Sequence, residues 1–292
     1  FQMGTLASLY TKARKSDLAL IRTAHITLEW GEGIIAWLLR QTTTNWFFPI
    51  LVNVEVGVSE AILQQLVNHP GTRFSKHPPT LIHNAIHLED FQPKTDPQSW
   101  DILIDEDDFV IGSIGRLTRQ KGYEFLIKAI PAILNTFPKT TFVLIGEGEL
   151  RPQLEDLVKQ LGVQERLIFV GKVVDVAPYL HRMDLFVLPS LWEGLPTVLL
   201  ESMACGVPVI ATDIPGTREL IQDKMNGWLV PPRDTEALAK SICNILDNPK
   251  QRKHIIGKTH SILGKYNITL ISAKYERLFQ NLLRESKLLR YR

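Results

Sequence analysis

The chain has 292 residues, 45% of them apolar, and a formal net charge of +2. That length accommodates two domains with cores of their own, and the near-neutral balance excludes the basic surface that a nucleic-acid partner requires. Cys205 and Cys243 are too few for a disulfide framework or a cysteine metal site, and read as small buried hydrophobes in a reducing compartment.

The first ninety residues give few elements. Leu18 to Ile26 reads as a strand that ends near His25. Phe47 to Val58 is the longest apolar stretch; Asn53 and Glu55 interrupt it, it falls short of the roughly 18 to 20 residues of a membrane helix, and it reads better as a strand, with Val52 to Val58 the clearest part. Ser59 is a natural N-cap for a following helix, with Glu60 behind it. Thr80 to Asn84 spells T-L-I-H-N. From Leu88 to Asp107, Pro93, Pro97 and many acids read as a linker, and Asp105, Asp107 and Asp108 as a solvated loop rather than a metal-binding motif.

From there the pattern becomes regular. Phe109 to Ile114 is an apolar strand, Gly115 permits a tight turn, and from about Gly122 the residues Phe125, Leu126, Ala129 and Ile130 recur at helical spacing. Arg116 and Lys121 therefore flank one strand-to-helix loop, with Arg119 between them facing solvent. Such a loop is either a solvated basic surface or a diphosphate site, where arginine gives bidentate contacts and lysine a point charge. Thr141 to Ile145 is a strand closed by a turn at Gly146 and Gly148; Leu167 to Val170, Leu185 to Leu188 and Pro208 to Ala211 are further short strands. Alternation with helical patterns of ten or more residues predicts βαβ units and a parallel sheet.

The most informative segment runs V-L-P-S-L-W-E-G-L-P-T-V-L-L-E-S-M-A-C-G-V-P-V-I-A-T from Val187. Pro196 suits a first helical turn, so a helix is expected near Pro196 or Thr197. Its unpaired N–H groups carry roughly half a positive charge and favour an anion such as a phosphate. Gly194 lets the backbone approach a ligand. Glu193 before the helix and Glu201 one turn inside are then either a dipole-capping carboxylate and a solvated helix residue, or two acceptors for the hydroxyls of one ligand. The buried strands on both sides favour the ligand, because open α/β sheets bind at the carboxyl ends of their strands.

This segment resembles the glutamate pair of retaining GT-B glycosyltransferases of family 4. Arg116, Lys121 and Gly122 resemble that family's R-L-x-x-x-K-G signature, and Gly146 and Gly148 its G-x-G turn. Phe169, Val170, Gly171 and Lys172 resemble its base-reading loop. The pattern continues through Gly216, Glu219, Gly227 and the Val230-Pro231-Pro232 turn, with Glu219 capping the helix after Gly216. The resemblance implies two Rossmann-like domains with parallel sheets, the first incomplete, so that the chain is expected to begin partway through the acceptor domain, as a fragment or a natural truncation. It implies a partial acceptor-side domain over residues 1–88, a linker over 89–107, a donor domain over 108–266, and a helix over 267–292, around Ser272 to Glu285, crossing back toward the first domain.

The reaction it implies is transfer of a hexose-type sugar from a UDP- or GDP-linked donor to the hydroxyl of a sugar, lipid-linked or small-molecule acceptor, with retention, in glycan, lipid-linked sugar or polysaccharide synthesis. Glu193 takes the sugar and Glu201 the ribose. Arg116 and Lys121 take the diphosphate, and Gly115, Gly146, Gly148, Val170, Gly171, Gly194, Leu195, Pro196 and Thr197 line the nucleotide. His25 resembles an acceptor-side histidine; a lone histidine is also an ordinary structural residue. No cofactor or metal is implied, and the location is cytoplasmic or at the inner membrane face, with the basic stretch Arg284 to Arg292 giving at most weak anionic-membrane contact. A nucleotide-sugar-binding remnant without turnover and a nucleotide-sugar 2-epimerase are the alternatives.

Overall fold

The computed structural model describes residues 20–25, 42–93, 102 and 104–288. They divide into two units, one holding the described residues up to Asn84 together with Ile268 onward, the other running from Ala85 to Asn267.

In the first unit, β1 (Ile21–Ala24), β2 (Val54–Gly57) and β3 (Thr80–Leu81) form a parallel sheet in that order. Val54 and Val56 are buried on one face. Successive strand residues point to opposite faces, so Glu55 points the other way, where it pairs with its register partner Arg22, whose guanidinium lies 4.1 Å from the centre of the Phe48 ring. Burial pushes the Glu55 carboxyl above its usual range, and Arg22 opposes that shift. Helix α1 (Phe48–Leu51) follows a π-helical turn at Thr43–Phe47; helix α2 (Glu60–Val67) is capped by Ser59, whose hydroxyl accepts from the Ile62 N–H at 3.3 Å. The C-terminal helix, Ile268–Leu288, joins this unit through a 3.3 Å contact between the Tyr275 and Thr23 hydroxyls and a 3.2 Å contact from His77 Nε2 to Glu285 Oε2.

The second unit holds six parallel strands: β4 (Phe109–Ile114), β5 (Thr140–Ile145), β6 (Leu167–Gly171), β7 (Leu185–Leu188), β8 (Val209–Thr212) and β9 (Trp228–Val230). Their order across the sheet is β6-β5-β4-β7-β8-β9. Chain order reverses between β4 and β7, which is the point at which two strand-to-helix loops run in opposite directions and open a crevice. Helices α3 (Tyr123–Thr136), α4 (Arg151–Gln160), α5 (Ala177–Leu180), α6 (Thr197–Ala204), α7 (Pro215–Arg218), α8 (Thr235–Leu246) and α9 (Pro249–Leu263) connect or flank the strands. The core runs from Ile111, Phe142 and Leu144 of the sheet into Leu126 and Ile130 of α3 and Ile242 of α8, all of them fully or almost fully buried. Six consecutive buried residues in β5 match a strand covered on both faces.

Several expectations change. The apolar run from Phe47 to Val58 is a strand only over Val54–Gly57; Phe48–Leu51 is helical, with Pro49 in its first turn, where a missing N–H costs nothing. Asn53 separates the two, and its side-chain oxygen accepts the Leu20 N–H at 2.9 Å. The expected linker over 89–107 is cut differently: the boundary lies at Asn84 and Ala85, and the described residues beyond it belong to the second unit. There Ile86 is buried and its N–H donates to the Tyr266 carbonyl at 3.0 Å, and Leu88–Phe91 forms a 3-10 turn. Asp108 is not solvated; it is buried and accepts from the Thr141 hydroxyl at 2.7 Å and from Arg166 at 2.8 Å. Cys205 is buried as expected, whereas Cys243 is only partly so. Strand β9 was missed, since three residues next to a proline pair give no period to read.

Gly146 carries the tightest constraint. Its φ is +137°, and a Cβ there would stand 2.0 Å from the Gly115 carbonyl oxygen, which is backbone and has nowhere to move. Gly146→Ala should therefore destabilise the protein by about 3 kcal/mol, read as a lower thermal denaturation midpoint; an unchanged midpoint would mean that these two loops are not in contact.

Candidate functional site

The site is built at the carboxyl ends of β4, β5, β6 and β7. Backbone bonds lace the first three loops together: Gly115 N–H to Ile145 carbonyl at 2.9 Å, Leu117 N–H to Glu147 carbonyl at 3.0 Å, and Gly146 N–H to Gly171 carbonyl at 2.8 Å. Gly148 has the Leu117 carbonyl 2.4 Å from where a Cβ would stand. Close backbone approach is thus the local reason for the Gly-x-Gly turn. Gly171 ends β6 just after Val170, with the Glu147 carboxylate beside it.

Between β4 and α3, Arg119–Lys121 forms a 3-10 turn closed by Gly122 in the left-handed conformation, φ +61°. A Cβ on Gly122 would lie 2.2 Å from the Pro189 carbonyl oxygen. The β4–α3 loop is therefore pressed onto the β7–α6 loop, and the side chains before Gly122 meet those after Pro189. Lys121 Nζ donates to Glu193 Oε1 at 2.6 Å, with side-chain exposures of only 15% and 7%. The Ser190 hydroxyl donates to the same oxygen at 2.7 Å, and Gln120 Nε2 donates to Glu193 Oε2 at 3.3 Å and to the Trp192 carbonyl at 3.0 Å. The Leu191 N–H donates back to the Gln120 carbonyl at 2.7 Å. Charge-assisted bonds of this length in a partly desolvated setting are the strong kind.

Reading the sequence put Lys121 on a diphosphate and Glu193 on a sugar as separate contacts; the structure brings them together as an ion pair. It also adds Gln120 and Ser190, which the sequence reading passed over. Ser190 sits in an apolar run, and nothing in its spacing marks it; Gln120 is adjacent to the lysine but is polar like the rest of the loop. Arg116 is exposed and its side chain takes no part in the hydrogen bonds and ion pairs among the described residues, and Arg119 is exposed as expected. Tyr123 opens α3 fully buried, and burial pushes its phenol upward against the opposing effect of the Ser113 hydroxyl. A Cβ on Gly115 would come within 2.9 Å of the Tyr123 hydroxyl oxygen.

Helix α6 begins at Thr197, with Pro196 at the N-cap rather than inside the first turn. Gly194, Leu195 and Pro196 are buried, and the carbonyls of Glu193 and Gly194 both lie 2.6 Å from the position of a Cβ on Gly216. The short α7 turn thus seats directly against the Glu193 loop, and Glu219 closes that turn at its C-cap. Glu201 stands one turn into α6. Burial pushes its carboxyl above the usual range, and a bond with Thr197 opposes the shift. His25 follows β1 in the first unit and is exposed. Among the described residues no group of three or more histidines, cysteines or acids converges to hold a metal ion, and no helix is long and apolar enough to cross a membrane. An open groove of about 340 Å³ between α3 and α4, lined by Thr118, Gly122, Lys128, Leu154 and Leu157 among others, includes neither Glu193 nor Glu201.

Known proteins give this arrangement its context. An uncharacterised glycosyltransferase of Methanocaldococcus jannaschii is 37% identical over 169 residues, which cover 57% of this chain and 43% of the relative. The UDP-Gal:alpha-D-GlcNAc-diphosphoundecaprenol alpha-1,3-galactosyltransferase of Escherichia coli is 31% identical over 175 residues, 58% of this chain and 45% of that enzyme. The chain thus spans about half the length of the curated relatives it matches. The crystal structure of Anabaena Alr3699/HepE in complex with UDP-glucose superposes with a TM-score of 0.79 over 95% of this chain and 75% of that one, at 20% identity, and gives the fold as GT-B. The model for glycosyl transferases group 1 matches residues 94–261, more than half of the sequence and nearly all of the six-stranded unit, and the chain belongs to that family.

Proposed function

We propose that the six-stranded unit binds a nucleotide diphosphate sugar and that the protein transfers the sugar to an acceptor hydroxyl with retention of configuration, as a retaining family 4 enzyme of hexosyltransferase type. The observation that carries this reading is the meeting of Lys121 and Glu193 where the strand order reverses, beside the start of α6. That is the place where an open α/β sheet binds ligands, and it offers a cation and a helix N-terminus to a diphosphate and carboxylates to hydroxyls. The relatives agree in kind: the Escherichia coli enzyme is named for a UDP-linked galactose donor and a diphosphoundecaprenol-linked acceptor, and the Anabaena protein was crystallised with UDP-glucose.

In this reading Arg116 and Lys121 with the first N–H groups of α6 stabilise the negative charge that develops on the departing diphosphate. Preorganised donors of this type contribute on the order of 3 kcal/mol each to a transition state. Glu201 accepts from the ribose hydroxyls, and the backbone around Val170 and Gly171 faces the base, UDP or GDP. Glu193 orients the sugar so that the acceptor approaches on the face the leaving group occupies, which requires no carboxylate on the opposite face. Such charge stabilisation by side chains and helix dipole assigns no role to a metal. His25 belongs to the acceptor side. We place the reaction in the cytoplasm, in the synthesis of a polysaccharide or lipid-linked sugar, with peripheral membrane contact where the acceptor is lipid-linked.

Calorimetric titration with UDP and GDP, followed by a donor-hydrolysis and transfer assay, tests the reading; absence of binding to both nucleotides overturns it, and binding without turnover reduces it to a nucleotide-sugar-binding protein. Glu201→Ala should weaken nucleotide binding by roughly 1 to 3 kcal/mol, the scale of a lost charged hydrogen bond. The ribose needs the ionised carboxylate as acceptor, and the Glu201 carboxyl is raised; affinity should therefore fall as pH is lowered through that raised value, and Glu201→Gln should remove that acid-side step. Lys121→Ala should lower affinity for the nucleoside diphosphate more than for the nucleoside, and equal losses would take Lys121 off the diphosphate.

A further inference from the structure

Lys121 is neutralised by a carboxylate of the protein itself. Its ammonium lies 2.6 Å from Glu193 Oε1, in a pair whose side chains are mostly buried. Glu193 is held from three directions: Oε1 by Lys121 and the Ser190 hydroxyl, Oε2 by Gln120. Ser190 is itself completely buried, and Gln120 is anchored through the Trp192 carbonyl and the Leu191 N–H, so the carboxylate has little room to follow a moving partner. Lysine is the mobile member, a point charge with three donors on a flexible stem.

We propose that the Lys121–Glu193 pair is a latch by which the site distinguishes a sugar-bearing donor from the bare nucleoside diphosphate left after transfer. This inference rests on the nucleotide-sugar reading above. When a diphosphate enters, Lys121 turns toward it and Glu193 stays with Ser190 and Gln120. Glu193 then has lost its counter-charge and gained an anionic neighbour, in a setting where water screens poorly. A nucleotide sugar compensates, because its sugar hydroxyls donate to the vacated carboxylate oxygen. A nucleoside diphosphate has no such donors, so the carboxylate repels it. The same residue that orients the sugar before transfer thus promotes departure of the leaving group afterwards, and Gln120 and Ser190 are positioning residues that keep Glu193 from following the lysine.

The test compares affinities for UDP and UDP-glucose, or the guanosine equivalents if the wild type binds GDP, in wild type, Glu193→Gln and Gln120→Ala, each checked for an intact thermal transition. Glu193→Gln should tighten UDP by about tenfold, the scale of relieving a like-charge contact, while leaving UDP-glucose no tighter. Gln120→Ala should narrow the ratio of the two affinities. Equal tightening of both ligands by Glu193→Gln, or weaker UDP binding, overturns the latch. If Glu193→Gln does not fold, the ratio in Gln120→Ala decides, and an unchanged ratio overturns it. A wild type that binds neither nucleotide removes the underlying reading together with the latch, whereas normal wild-type binding without the expected variant response removes the latch alone.

Discussion

The site depends on two loops approaching backbone to backbone where β4 and β7 lie side by side. At Gly122 the helix α3 starts against the Pro189 carbonyl, with no room for a side chain between them. Everything polar follows from that approach. The three residues before Gly122 are turned into a 3-10 turn, and Lys121 and Gln120 arrive beside the segment that carries Ser190 and Glu193. Neighbouring contacts repeat the device, with Gly146 and Gly148 against the β4–α3 loop and Gly216 against the Glu193 loop. A site assembled in this way is rigid at the backbone, which suits groups that must act by fixed position and charge.

How far the sequence discloses this depends on whether the signal is local. The strands from Phe109 onward are legible because buried parallel strands are short apolar runs bounded by turn residues, and the structure reproduces them within one residue or so at each end. Phe47 to Val58 misleads because an apolar run without alternation looks the same as a helix and as a strand, and here Asn53 divides it into one of each. Asp108 reads as a loop acid because its partners, Thr141 and Arg166, come from the next strand and the turn before β6, which no local pattern can join. The site shows the same division. Glu193, Glu201, Lys121 and the glycines stand out by spacing and by resemblance, whereas Gln120 and Ser190 acquire their meaning only when β4 and β7 become neighbours.

The two glutamates differ in a way that their seven-residue separation does not suggest. Glu193 is satisfied by a cation, a hydroxyl and an amide, so any ligand that reaches it must replace bonds already made. Its net contribution to affinity is accordingly small, because an exchanged bond adds little. Glu201 is in the opposite condition: burial raises its carboxyl, and Thr197 partly offsets the desolvation. A ligand hydroxyl that donates to Glu201 relieves an expense the folded protein already carries. On the proposed reading, affinity for the nucleotide is therefore generated at Glu201 and the choice between ligands at Glu193. Separating the two tasks along one loop and one helix turn lets the protein hold the nucleotide half of a donor firmly while remaining sensitive to whether a sugar is attached.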